Sequence, residues 1–156
     1  MAAETDLGKW EYQKLADLRY QIRRFLRFSE EAAWEERLET QQHQFLLAIR
    51  AHGGGIAPTV GELAERLLIR HHSAVGLADR LAERGMVRRL TGERDRRCVH
   101  VELTEAGEGV LARLAWLHRE ELQQFGPQLV EALQATIQRT GPVPPSPARC
   151  TIEKRA

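Results

Sequence analysis

Two cysteines, four of six prolines confined to one stretch, no long apolar run and almost no net charge are what this 156-residue chain has little of. Each scarcity excludes something. Cys98 and Cys150 are too few and too far apart for a disulfide framework or a cysteine-based metal cluster. No segment approaches the roughly twenty apolar residues that span a bilayer. The opening MAAETDLGKW lacks the layout of a signal peptide, so a cytoplasmic chain without a membrane is expected. The six histidines are scattered, and no Ser/His/Asp set or metal-ligand spacing stands in recognisable context. The expectation is therefore no enzyme, no metal and no cofactor.

A formal net charge of +1 hides strong local asymmetry. Glu30, Glu31, Glu35, Glu36 and Glu39 crowd a stretch with Arg37 as its base, whereas Arg84, Arg88, Arg89, Arg94, Arg96 and Arg97 face only Glu93 and Asp95. Packing arginines so closely is costly unless an anion relieves them. The pattern points to one cationic surface with the other lobe held away from it.

The segment 59–103 supplies the architecture for that surface. Thr59 and Glu62 have the spacing of a capping box, and Pro58 limits any helix upstream. Val60, Leu63, Ala64, Leu67 and Leu68 then share a predicted buried face, leaving Glu62, Glu65 and Arg66 in solvent. After the polar break 70–73, Val75, Leu77, Ala78, Leu81 and Ala82 resume the period until Gly85, which suits a left-handed helix end. Met86–Leu90 and Cys98–Leu103 alternate as a hairpin around a polar turn. The fold class is mainly α (α+β): a helix-turn-helix followed by a wing. A second helix of this kind lies in the major groove, which makes Arg70, His71, His72, Ser73, Val75, Gly76 and Arg80 the candidate duplex-DNA contacts. Arginine at a loop tip suits a narrow minor groove, adding Arg94, Arg96 and Arg97. An isolated arginine-rich turn reads as a solvated loop; the capped helix pair before it reverses that reading.

The run LAERLLIRHHSAVGLADRLAERGMVRR and the following GERDRRCVHVELTEAG resemble the core of the multiple antibiotic resistance regulator (MarR) family. That family carries an Asp-x-Arg wing motif leading into a strand that ends in Leu-Thr-x-x-Gly, matched here by Asp95, Arg97 and Leu103 to Gly107. The resemblance covers about residues 10 to 138. It implies that Arg97 enters the minor groove with Asp95 holding it, and that the protein is a homodimer with a small-molecule effector pocket between its dimer helices and its DNA-binding lobe. Peroxide-sensing members place a cysteine in the N-terminal dimer region. This chain departs from that pattern with Cys98 in the wing, so a thiol sensor there is an alternative, and a small strand residue the plainer reading.

The ends of the chain carry more apolar face than a small winged domain covers. Leu15, Leu18, Ile22, Phe25 and Leu26 form one stripe, and Val110, Leu111, Leu114, Leu117, Leu122 and Phe125 another, after a Thr104 N-cap. Pro127 is expected to open a further helix with Leu129, Val130, Leu133 and Ile137. Between them, Thr40 to about His52 reads as a core helix through Phe45, Leu46 and Ile49. Gly53-Gly54-Gly55 has no Gly-Lys-Ser/Thr after it and is no phosphate loop.

The resulting organisation is a dimerisation region at 1–40, a DNA-binding lobe at 41–104, C-terminal dimerisation helices at 105–140 and a proline-rich tail at 141–156. Tyr20, Arg24, Trp34, His43 and Trp116 are the candidate effector contacts. The functional expectation is a sequence-specific, ligand-responsive repressor that reads a roughly palindromic double-stranded site. A non-specific architectural DNA-binding protein is the alternative from another class.

Overall fold

The computed structural model describes residues 8–91 and 98–138. Their order is α1 (Lys9–Glu35), α2 (Thr40–Arg50), α3 (Val60–Leu67), α4 (His71–Glu83), β1 (Val87–Thr91), β2 (Val99–Leu103) and α5 (Glu105–Ile137). This is the expected mostly helical, winged helix-turn-helix class. β1 and β2 pair antiparallel with Val87 opposite Leu103, Arg89 opposite Val101 and Thr91 opposite Val99. The segment ahead of α3 also joins this hairpin: Thr59 bridges His100, and Val101 N donates to Pro58 O at 2.9 Å.

The core of the lobe is Phe45 and Leu46 from α2, Leu63 from α3, Leu77 and Leu81 from α4, Val101 from β2 and Leu114 from α5. Each of these is essentially removed from water, and each aliphatic or aromatic side chain so buried contributes about 1.5–3 kcal/mol. Burial of α2 against α3, α4 and the hairpin fixes how the helix-turn-helix is held.

Caps decide where the elements begin. Thr59 N donates to Glu62 Oε2 at 2.7 Å while Glu62 N donates to Thr59 Oγ1 at 3.2 Å, the reciprocal pair that the spacing predicted. The backbone and hydroxyl of Thr59 hold the Glu62 carboxyl below its ordinary range. Thr59→Ala should lower unfolding stability by about 1 kcal/mol, read as a reduced urea midpoint at unchanged m-value. Thr104 caps α5 from one side only, its hydroxyl accepting from Gly107 N at 3.1 Å.

Two expectations are corrected. Leu68 does not lie on the buried face of α3. It caps that helix with φ of +56° and is 93% exposed, because a left-handed residue turns its side chain out of the helical register. Pro127 does not open a new helix either; it lies inside a continuous 33-residue α5. A proline there removes one backbone hydrogen bond and crowds the preceding turn, at about 3 kcal/mol. Contacts to α1 on both sides of it offset that cost: Arg24 donates to Gln128 Oε1 at 2.8 Å and stacks on Phe125 at 3.6 Å, and Lys14 Nζ reaches Gln138 O at 3.3 Å.

α1 and α5 run antiparallel, as the pairs Lys14 with Gln138, Arg24 with Gln128, Ser29 with His118 and Glu36 with Arg113 show. α1 buries only Ser29, Ala32 and Ala33 of its 27 residues, and α5 only Gly107, Val110, Leu111 and Leu114. The rest of both helices projects from the lobe as an arm. Leu15, Ile22, Leu26, Leu122, Val130, Leu133 and Ile137 remain exposed on it. Among the described residues no helix is long and apolar enough to cross a membrane.

Candidate nucleic-acid interface

α4 buries Ala74, Leu77, Ala78 and Leu81 and so turns its opposite face outward. Arg70 is its N-cap, with Ser73 N and Ala74 N donating to the Arg70 carbonyl at 3.0 and 3.1 Å. His71, His72 and Arg80 are exposed, and Ser73, Val75 and Gly76 are half-buried. All seven expected contacts on this element therefore fall on its N-terminus or its accessible sides. Arg80 lies back along the helix: its Nη1 is 3.3 Å from where a Cβ on Gly76 would sit, so the glycine leaves a notch for the guanidinium.

The electrostatics around α4 differ from the simple cationic surface that composition suggested. Arg89 on β1 is ion-paired to Asp79 on α4, Arg88 is paired to Glu102 across the hairpin, and Arg84 donates to Gln42 Oε1 at 3.2 Å. Part of the arginine density is relieved by this chain's own acceptors. Arg94, Asp95, Arg96 and Arg97 lie outside the described residues. Cys98, at their edge, is exposed.

Gln42 ties this surface to the arm. Its Oε1 accepts from Glu39 N at 3.0 Å, as part of the α2 capping box, and from Arg84 at the end of α4. Two residues before the box, the corner between α1 and α2 turns on Arg37 with φ of +58° and is clasped to α5 by two Arg113–Glu36 hydrogen bonds of 2.8 and 2.7 Å. That guanidinium holds the Glu36 carboxyl below its usual range.

The five candidate effector contacts are not brought together within one chain. Tyr20, Trp34 and Trp116 are exposed, and Tyr20 and Trp34 stand about 21 Å apart along α1 at the rise of a helix. Arg24 lines a shallow crevice between α1 and α5 with Phe25, Leu122, Phe125 and Leu129. His43 is buried elsewhere, its ring 4.9 Å from that of His118. His118 in turn meets Leu114 O at 2.7 Å and Ser29 Oγ at 2.9 Å. Residue type alone gathers members of separate environments and passes over His118, Asp79 and Gln42. The first of these was legible as a lone polar position within the apolar stripe of α5, and the other two carry no such signal. Gly53 to Gly55 follow a helix rather than a strand, in keeping with the rejection of a phosphate loop.

Comparison with known proteins agrees with this geometry. Residues 38–97 match the sequence model of the MarR family. The transcriptional regulator PecS of Dickeya dadantii, described as of the helix-turn-helix type, is 27% identical over 107 residues, covering 66% of this chain; the chain spans 64% of that protein's length. The crystal structure of wild-type MarR from E. coli in its apo form superposes with a TM-score of 0.61 at 25% identity, over 72% of this chain and 79% of the other. A cysteine-to-serine mutant of the same protein complexed with operator DNA gives 0.60 at 24% identity, over 74% and 84%. The chain is thus similar to the MarR family in sequence over residues 38–97 and to MarR of E. coli in fold over 72% of its length.

Proposed function

We propose that this protein is a homodimeric transcription regulator, not an enzyme, that recognises double-stranded DNA by sequence. The observation that carries the reading is the outward face of α4, where Arg70, His71, His72 and Arg80 stand accessible on a helix whose other side is locked into the core. The similar PecS is named a transcriptional regulator, and a MarR structure of the same fold is complexed with operator DNA. In this reading α4 lies in the major groove with its N-terminal turn toward base edges, the arginines of 94–97 reach the adjacent minor groove, and Arg97 is oriented by Asp95.

The apolar side of the α1–α5 arm is the surface proposed to meet a second copy. Leu15, Ile22 and Leu26 on one helix and Leu122, Leu133 and Ile137 on the other are too many exposed aliphatic residues for a solvated pair of helices. Two copies so joined present two recognition helices to a roughly palindromic site. The protein acts as a repressor in the cytoplasm, and a small-molecule effector releases it by favouring one spacing of those helices over another. Such an effector must bind the two arrangements with different affinity. Arg24, in its crevice on the arm, and His43, where the arm meets the lobe, are the candidate contacts best placed for it.

Fluorescence anisotropy on the intergenic DNA beside the gene and on a scrambled duplex of equal length, each at two salt concentrations, tests the reading. Preference for the native duplex with affinity falling steeply as salt rises is expected. Equal binding to both duplexes overturns sequence recognition in favour of an architectural role. In the same assay Arg80→Ala should weaken binding to the native duplex by about tenfold while the scrambled duplex changes less, as for an arginine on a base edge rather than a phosphate.

A further inference from the structure

The outward face of α4 carries an acid. Counting from His72, the positions three, four and seven further on are Val75, Gly76 and Asp79, and a helix lying in a groove presents this set along one side. Gly76 brings no side chain to the middle of that set, so the backbone can approach closely. Asp79 follows one turn later, with its side chain 46% exposed.

A carboxylate facing a polyanion is repelled by it, and this one is compensated. Arg89, projecting from β1, donates from Nη1 to Asp79 Oδ1. Among the described residues Asp79 has no second hydrogen-bond partner, so Oδ2 is left to accept from elsewhere. The pair thus presents a nearly neutral unit with an acceptor directed by a fixed arginine. An ionised carboxylate only accepts. In the major groove the cytosine N4 amino group is a donor without an adjacent acceptor, whereas guanine O6 and N7 and thymine O4 repel a carboxylate, and adenine sets its N6 donor beside the N7 acceptor.

We propose that Asp79 is a specificity-determining residue, accepting a hydrogen bond from cytosine N4, with Arg89 as the positioning residue that holds it and offsets its charge. Each half-site then carries one fixed C·G pair opposite the middle of α4. The proposal rests on the duplex-reading function above, and the experiment separates the two. Wild-type protein and the Asp79→Asn, Asp79→Ala and Arg89→Ala variants each select from a randomised duplex pool, and the enriched sites are checked by anisotropy.

Wild type is expected to prefer cytosine about tenfold at one position per half-site. Asp79→Asn is expected to move that preference to adenine, whose N6 and N7 an amide matches in bidentate fashion, with the other positions unchanged. Asp79→Ala is expected to erase preference at that position alone, and Arg89→Ala to relax it there. If Asp79→Asn selects the wild-type motif, or loses affinity equally at every position, Asp79 does not read a base and the proposal is overturned. A wild type that enriches no motif removes the sequence-recognition function itself, and the proposal with it.

Discussion

Gly107→Ala is expected to destabilise the folded chain by about 3 kcal/mol, an overpacking effect at the upper end of its usual range. The reason lies in backbone rather than side chain. A Cβ at Gly107 would sit 2.1 Å from the carbonyl oxygen of Met86 and 3.0 Å from its carbon. That oxygen already accepts from Thr104 N at 3.0 Å, and the Thr104 hydroxyl donates to Gly85 O at 2.6 Å while accepting from Gly107 N. Gly85 turns the chain out of α4 at φ of +68°. The first turn of α5 is therefore clasped against the joint between α4 and β1, and a methyl group in the clasp must push the two apart. Gly109→Ala provides the internal control, since a Cβ there meets only the far end of Arg113 at 3.8 Å. It should be neutral or stabilising by up to about 1 kcal/mol, the ordinary gain of alanine over glycine inside a helix. Urea unfolding of both variants decides the matter: equal midpoints would mean that the clasp does not constrain α5.

Gly107 also shows what was legible in the sequence and what was not. The Leu103 to Gly107 run stood out through a family resemblance, and Thr104 as a cap through its neighbours alone. The need for glycine at Gly107 depends on Met86, distant by 21 residues, and no local pattern carries that distance. Features set within one or two turns were readable: the Thr59–Glu62 box, the left-handed Gly85 and the alternation of the hairpin. Leu68 was misplaced because the helical period continues through it in the sequence although the backbone leaves the helix there, and a leucine rather than a glycine takes the left-handed position. Pro127 was misjudged for the opposite reason, a local rule outweighed by packing along α1.

The candidate interface followed the same division. Expecting cations at a DNA-facing surface drew attention to Arg70, Arg80 and the wing; Arg70 and Arg80 are exposed at the start and on the side of α4. It passed over Asp79, whose importance emerges only when Arg89 is seen to reach it from another element. The effector candidates were chosen by residue type alone, and residue type does not say which of several helical faces meet.

Stability should fall by about 2 kcal/mol as pH is lowered from about 7 to about 5, with His43 as the main cause. His43 is 5% exposed, and its Nδ1 is buried without a hydrogen-bond partner among the described residues. Burial first, and the neighbouring His118 imidazole second, push its pKa down from 6.5 to about 4. A depressed histidine takes its proton more readily in the unfolded chain. Its contribution is therefore intact above about pH 6.5 and is lost progressively toward pH 4. The groups around it do not offer relief: Phe25 and Phe28 pack edge-on against His118, and the ring nitrogens of His118 are engaged with Leu114 O and Ser29 Oγ. Glu36 and Glu62, held low by Arg113 and Thr59, remain ionised through this window and contribute their own losses only at lower pH. His43→Leu removes both the titrating group and the orphaned nitrogen. Its urea midpoint should accordingly stay close to wild type at neutral pH and lose most of the decline toward pH 5. A variant that keeps the full wild-type decline would assign the acid sensitivity to another group and separate the buried His43 from the stability of the arm–lobe junction.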